Sequence, residues 1–315
     1  MKFASKAMPK SQPPPTIQII MPLAWQKLAF SNKHIRDNDI HFDEPTHIYT
    51  VKGTYTGYIS VTGFLHAFFP HFDPKSTITK MRKSPKFLLG PYADMTDEQI
   101  IAKWNANGKE ASEAGTAMHL AIEQYLNGSP EVIDPEVLKT VEWRQFMEFW
   151  GKFGHDLEPY RTEWEVWVEE YRLAGSLDMV FRRKSDGRYL IYDWKRSKEI
   201  KTENSWGTGY GPVDHFPDCN YWHYTLQLNI YRRVLERWYG LDIAGLYLVI
   251  CHPDQPTFKR IKLNLLEEEI DGLFECRARA LKTVPWGSAP AKPVLMKDPS
   301  TKVEADCDEN GLIKW

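Results

Sequence analysis

The apolar period of this chain switches repeatedly between helical and strand spacing, and those switches limit the folds open to it. Residues 97–127 place Ala114, Met118, Ala121, Ile122 and Tyr125 at helical spacing and stop at Asn127-Gly128. Asp134-Pro135 then opens a further helix whose buried stripe is Val137, Leu138, Val141, Phe146 and Phe149. From residue 160 the period falls to two, and 162–171, 173–183 and 189–195 are three strand candidates, the last two joined by Ser185-Asp186-Gly187. After a Gly-, Asn- and aromatic-rich loop at 199–220, Gln227, Ile230, Tyr231, Val234, Leu235 and Trp238 restore the helical period. Strands at 245–251 and 257–263 and a helix over 266–282 follow. The order is helix, three antiparallel strands, helix, strand, which predicts an α/β core with a central mixed sheet flanked by helices. An N-terminal hairpin over 41–62, turning around Gly53 and Gly57, decorates it.

The ends differ from this core. Residues 1–36 hold Lys2, Lys6, Lys10, Lys27, Lys33 and Arg36, no acid, and a Pro13-Pro14-Pro15 run. That composition predicts a disordered basic arm in preference to an organelle transit peptide, and it has none of the regions of a secretory signal. From Val284 the chain is Pro-rich and then acidic, a loose tail, so the expected domain is 37–283. The net charge of −2 excludes a generic basic DNA-coating protein, although an acidic site can still lie in a locally basic groove. One such patch runs from Lys75 through Lys80, Arg82, Lys83 and Lys86; it is either a solvated surface or a phosphate-contacting loop. Cys219, Cys251, Cys276 and Cys307 form no C-x-x-C pair, which fits reduced thiols inside a cell. Twelve Trp supply a large aromatic core, with some rings available to stack on bases. No apolar run approaches a membrane span.

The chemistry concentrates in the hairpin of 173–183 with 189–195. A turn centred on Ser185-Asp186 sets Asp178 directly across from Asp193, with Cβ atoms roughly 5 Å apart. A turn one residue different makes them diagonal neighbours. Lys195, two residues beyond Asp193, projects from the same face. The flanking Leu177, Met179, Phe181, Leu190, Tyr192 and Trp194 are apolar, as in covered central strands. Facing carboxylates in such a sheet repel, and a divalent cation such as Mg²⁺ or Mn²⁺ removes that cost. A lysine beside them suits a substrate that brings phosphate, and the set suggests metal-assisted phosphodiester hydrolysis. An Asp-x-Lys triplet alone is expected about once by chance in a chain this long, so the weight rests on Asp178 and the covered strands.

His119 and Glu123 stand at i and i+4 beside the apolar stripe of the helix before the strands. A lone histidine there is more often a hydrogen-bonded structural residue than a ligand, and Glu123 alone reads as a solvated or supporting carboxylate. Gln227 sits on an apolar stripe where its amide needs a partner, either the sheet or the metal site.

Taken in order, these segments resemble the PD-(D/E)XK nuclease superfamily and, within it, the RecB-like exonucleases. Gly115-Thr116-Ala117-Met118-His119 with Ile122-Glu123 is similar to that group's helical motif. Gly175-Ser176-Leu177-Asp178 matches its G-x-x-D strand, Asp193-Trp194-Lys195 its D-x-K strand, and Gln227-Leu228-Asn229-Ile230-Tyr231 its Q-L-x-x-Y helix. Weaker similarity spans about 41–282, with Ser60-Val61-Thr62 near its front. The resemblance implies a restriction-endonuclease-like αβββαβ core. It also implies that Asp178 and Asp193 hold the metal with help from His119 and the carbonyl of Trp194. Lys195 would orient the attacking water and stabilise charge on phosphate, with Glu123 and Glu163 as supporting acids. Gln227 and Tyr231 would brace the site and contact DNA.

The chain lacks the downstream triple-cysteine cluster of the iron–sulfur branches and any P-loop, so no iron–sulfur cluster and no motor of its own are expected. The expectation is therefore a stand-alone Mg²⁺- or Mn²⁺-dependent DNA exonuclease of recombination, repair or replication, leaving 5′-phosphates. It resembles mitochondrial genome maintenance exonucleases and phage or viral recombination exonucleases. DNA ends are the expected partner, with a recombinase, single-strand-binding protein or helicase as candidate protein partners and no membrane. An intracellular setting, cytoplasm or nucleoid, is expected ahead of mitochondrial targeting. The rivals are a structure-specific or restriction-like endonuclease, a DNA-binding module on a degenerate nuclease fold, and an RNA nuclease.

Overall fold

The computed structural model describes residues 26–283 apart from Thr56 and Trp206. The expected arm as far as residue 25, the tail at 284–315 and Cys307 lie outside the described residues. Residues 27–36, expected to belong to that arm, instead dock on the domain. Helix α1 (Lys27–Ser31) is held where the Leu28 amide donates to Asn127 Oδ1 at 2.9 Å and Asn32 Nδ2 donates to the Tyr160 carbonyl at 2.9 Å. The Arg36 guanidinium lies 3.9 Å over the Trp167 ring and donates to the Trp167 carbonyl at 2.7 Å. Such a stacked and hydrogen-bonded arginine is an ordered contact.

Strands β1 (Ile40–Asp43) and β2 (Ile48–Val51) form a separate antiparallel hairpin. It turns at 44–47, not around Gly53 and Gly57, because the Asp43 carboxylate accepts the Thr46 amide and closes the turn first. Gly53 and Gly57 serve the following connection with left-handed φ values of 75° and 81°. Strand β3 (Ile59–Ser60) leads into α2 (Val61–His66), capped where Ser60 Oγ accepts the Gly63 amide. The basic stretch is helical, forming α3 (Pro74–Arg82) and a 3-10 turn over Pro85–Leu89. It starts where Asp73 caps and proline takes the first turn.

Helix α4 (Asp97–Leu126) runs unbroken for 30 residues from a Thr96/Gln99 capping box. Ile100 and Trp104 near its start pack with Ile78 and Phe87, while Met118, Ile122 and Leu126 near its end enter the core under the sheet. Helix α5 (Val141–Phe153) begins later than Asp134-Pro135 suggested. Thr140 is its cap, and Asp134 only closes a local turn on the Glu136 amide.

The remaining elements are β4 (Leu157–Val168), β5 (Leu173–Arg183), β6 (Tyr189–Lys195), α6 (Asn220–Trp238), β7 (Ile243–Ile250), β8 (Lys259–Lys262) and α7 (Glu268–Thr283). The six-stranded sheet runs β3-β5-β6-β7-β8, with β4 paired to β5. It is mixed: β3–β5 and β6–β7 are parallel and the other pairs antiparallel. One face is covered by α2, α6 and α7, through Phe64, Leu226, Ile230 and Leu273, and the other by α4 and α5, through Ile122, Phe146 and Phe149. The fold is α/β with helices on both faces, as the periodicity predicts.

One detail of the sheet positions the site. Strand β4 takes one edge of β5 along its length. The opposite edge is shared, with β3 pairing at Leu173 and Ala174 and β6 pairing from Met179 to Arg182. Gly175–Asp178 therefore lie in the fork between β3 and β6.

Candidate metal-binding and catalytic site

The β5–β6 register places Met179 opposite Tyr192 and Val180 opposite Ile191, the pairing that a turn at Ser185-Asp186 dictates. One step further, at Asp178 and Asp193, the ladder stops. Asp178 Oδ2 accepts the Trp194 amide at 2.9 Å in place of a backbone acceptor. Strand β6 continues on β7 alone, with Asp193, Trp194 and Lys195 paired to Leu248, Val249 and Ile250. The two carboxylates thus stand at the point where the strands part.

Strand β5 also turns over here. Leu177 packs in the α6-side core and Met179 in the α4/α5-side core, although residues two apart in a regular strand face the same way. Strand β4 does the same beside it: Thr162 accepts from Asn127 Nδ2 at the end of α4, whereas Trp164 lies in the α6-side core. Between those two residues sits Glu163.

Helix α4 supplies the third wall. Met118 and Ile122 anchor it in the core, which leaves His119 at the edge of the fork. His119 Nε2 lies 2.9 Å from the Trp194 carbonyl. Its Nδ1 lies 3.6 Å from Asp178 Oδ2 and 3.8 Å from Glu163 Oε1. One ligand atom each from His119, Glu163 and Asp178 falls within 4.8 Å of the others. Asp193 lies deeper, 4% exposed, with its Oδ2 2.8 Å from Lys195 Nζ. That ammonium also stands 4.9 Å from the Tyr224 ring of α6.

Burial and mutual repulsion shape the charges. Burial and the neighbouring Asp178 push the Asp193 carboxyl up to about 6, and burial raises Asp178 against the opposing pull of His119 and Lys195. For His119 burial works downward, but Asp178 and Glu163 outweigh it and lift the imidazole to about 9. Lys195 is likewise held above the usual lysine range, since Asp193 and Asp178 overcome its burial. Glu123, one turn beyond His119, is pushed up to about 7 by burial and then by Glu163. This is a desolvated set of carboxylates that recruits positive charge from every source within reach.

Gln227 and Tyr231 brace the fork from α6. Gln227 Nε2 donates to Thr62 Oγ1 at 3.1 Å, tying α6 to α2. Tyr231 is 4% exposed, so the expected contact with DNA is replaced by an internal one: its ring fills the space that a side chain on Gly175 would need. Of the basic residues, Lys80, Lys83 and Lys86 are exposed on α3 and the turn after it. Arg82 is occupied, paired with Asp97 at 2.6 Å and donating to the Met95 carbonyl. Sequence reasoning gave Thr62 no role in the site and passed over Tyr224 and Arg196. The last, next to Lys195, bonds Glu142 at 2.7 Å and Glu110 at 3.2 Å, fastening the end of β6 to α5 and α4. Its only signal was a charge adjoining an apolar strand.

The donor set fits a divalent cation. An imidazole nitrogen, carboxylate oxygens and a nearby main-chain carbonyl suit Mn²⁺ or Mg²⁺, and a cation would relieve the repulsion between Asp178 and Asp193. The described residues include no helix long and apolar enough to cross a membrane.

No family model matches the chain, and no curated protein matches it. Among solved structures it is similar to SSO0001, with 15% identity and a TM-score of 0.30 over 84% of this chain and 86% of that one. It is also similar to a candidate exonuclease from Eubacterium rectale, with 12% identity and a TM-score of 0.37 over 72% of this chain and 79% of that one.

Proposed function

We propose that this chain is a metal-dependent nuclease that hydrolyses phosphodiester bonds in DNA, acting as an exonuclease and leaving 5′-phosphate ends. The observation that carries the reading is the fork itself. Asp178 and Asp193 come from two parting strands, Lys195 lies 2.8 Å from Asp193, and His119 closes the site from a helix.

His119, Asp178 and Asp193 would hold Mg²⁺ or Mn²⁺, with the Trp194 carbonyl beside them. A bound ion of this kind activates water and neutralises charge developing on phosphate. The protein's own contribution is positioning. The Trp194 amide fixes the rotamer of Asp178, and the Trp194 carbonyl orients the His119 ring. Lys195, protonated and fastened between Asp193 and Tyr224, places one positive charge where a phosphate oxygen would become more negative. Gln227 and Tyr231 keep α6 in register with the fork, which holds the carboxylates apart at a set spacing.

Linear DNA labelled at either end, incubated beside covalently closed circular DNA with Mg²⁺ or Mn²⁺, tests the reading. The expected result is metal-dependent release of label from linear DNA alone, lost at least 100-fold in Lys195→Ala with its circular dichroism unchanged. Full activity in that variant, free of contaminating nuclease, overturns the assignment, and digestion of circles replaces exonuclease by endonuclease.

A further inference from the structure

Four non-glycine residues among those described have a positive φ: His47, Lys52, Arg172 and Glu163. The first three lie in turns. Glu163, at φ 40°, lies inside strand β4. Left-handed backbone is costly for a residue with a Cβ, and glutamate has no local hydrogen bond of the Asn or Asp kind to offset it. Its usual purpose in a strand, absorbing an extra residue in a bulge, does not apply. Thr162 pairs with Met179 and Trp164 with Leu177, so the register is the same on both sides.

What the left-handed turn does is exchange faces. Thr162 points to α4, Trp164 to the α6-side core, and β5 makes the same exchange opposite, between Met179 and Leu177. Glu163 stands across from Asp178 at the pivot, and its carboxylate reaches toward His119 at 3.8 Å. That carboxylate has no lysine or arginine ion pair among the described residues; its remaining contact is Ser176 Oγ at 3.5 Å. It is also the most open of the group. Its side chain is 40% exposed, against 27% for His119, 15% for Asp178 and 6% for Asp193. Asp193, by contrast, is already compensated by Lys195.

We propose that Glu163 is a direct ligand of the divalent ion, joining His119, Asp178 and Asp193, so that β4 contributes to the site together with α4, β5 and β6. The inference rests on the reading of this fork as a cation site. It assigns to Glu163 more than the supporting role that the resemblance implies, and adds it to the His119, Asp178 and Asp193 already assigned to the ion. The strained backbone is then the device that turns a strand residue into the mouth of the fork.

The test is Mn²⁺ binding by the DNA-free protein, followed by calorimetry or by the electron paramagnetic resonance signal of free Mn²⁺. Glu163→Gln keeps the shape and removes the charge. Glu163→Gly keeps the left-handed backbone at no cost and removes the whole side chain. Asp178→Asn is the reference for loss of a ligand. At least ten-fold weaker Mn²⁺ binding is expected in all three, as for loss of a metal-site partner. Wild-type affinity in Glu163→Gln or in a folded Glu163→Gly, with Asp178→Asn weakened, overturns the assignment of Glu163 but spares the cation site. Unchanged binding in Asp178→Asn, or none in the wild type, overturns the cation site itself. Should the glycine variant fail to fold, Glu163→Gln decides alone.

Discussion

A Cβ placed on Gly175 would sit 2.5 Å from Tyr231 Oη and 2.8 Å from its Cε1. The glycine of β5 and the tyrosine of α6 are therefore one feature. The strand gives up a side chain so that the helix can lay an aromatic ring against its backbone, three residues before Asp178. Gly175→Ala is expected to cost about 1–3 kcal/mol, the range for overpacking a filled core. It should also lower metal-dependent cleavage by more than the unfolded fraction explains, because the fork is pried open. Thermal unfolding with activity assayed well below the transition separates the two effects. An alanine variant as stable and active as the wild type would refute the close approach.

Glu123 gives a prediction in pH. Burial, reinforced by Glu163, raises its carboxyl to about 7, so the folded state favours the protonated form. A group whose pKa is raised on folding contributes stability that is present in full below its unfolded value of about 4.5. That contribution disappears as the pH rises through 7. In EDTA, Glu123→Gln should match the wild type near pH 4 and exceed it by pH 8. The gain should be about 1–2 kcal/mol once discounted for solvent screening, or a few degrees in Tm. Melting curves across that pH window check it, and parallel curves for the two proteins would count against it.

The nearness of Asp178 and Asp193 was legible because hairpin register follows from turn position. Ser185-Asp186-Gly187 closes the β5–β6 turn, and the pairing of Met179 with Tyr192 follows, which brings Asp178 and Asp193 to the point where the ladder ends. Helices α4 and α6 were legible because their apolar stripes are long. Glu163 was not. Nothing in its chain neighbours marks a left-handed φ, which the fork imposes through tertiary packing. The start of α5 was misplaced because Asp134-Pro135 and Thr140 are both good cap signals, and only packing chooses between them. The arm was drawn too long for a similar reason. Composition is local, whereas the contacts that hold residues 27–36 come from Asn127, Tyr160 and Trp167.

Asn127 makes that last point testable. Its Oδ1 accepts the Leu28 amide at 2.9 Å, and its Nδ2 donates to the Glu123 carbonyl and to Thr162 Oγ1 at 2.9 and 3.0 Å. One buried amide thus joins α1, the end of α4 and β4. Asn127→Ala should cost about 2 kcal/mol, since several buried partners lose a bond at once. Hydrogen exchange should quicken at residues 27–32 well beyond the global change. Exchange that rises uniformly would show that α1 is held by something else.

The basic surface divides into two kinds of residue, and DNA binding should divide the same way. Arg82 donates to Asp97 and the Met95 carbonyl and lies 4.9 Å over the Phe87 ring, so it holds the small lobe of α3 and α4 together. Lys80, Lys83 and Lys86 are exposed and have no ion-pair partner among the described residues, which leaves their charge available to phosphate. In an inactive Lys195→Ala background, Arg82→Ala should lower stability by about 1 kcal/mol, the scale of a partly exposed pair with an added hydrogen bond. The three lysines changed together to alanine should leave stability alone. They should weaken DNA binding and reduce the slope of log affinity against log salt by about 2, since each phosphate contact contributes about 0.7–0.9. Fluorescence anisotropy at several salt concentrations measures that slope. A slope that stays at its wild-type value would place the DNA path elsewhere on the molecule.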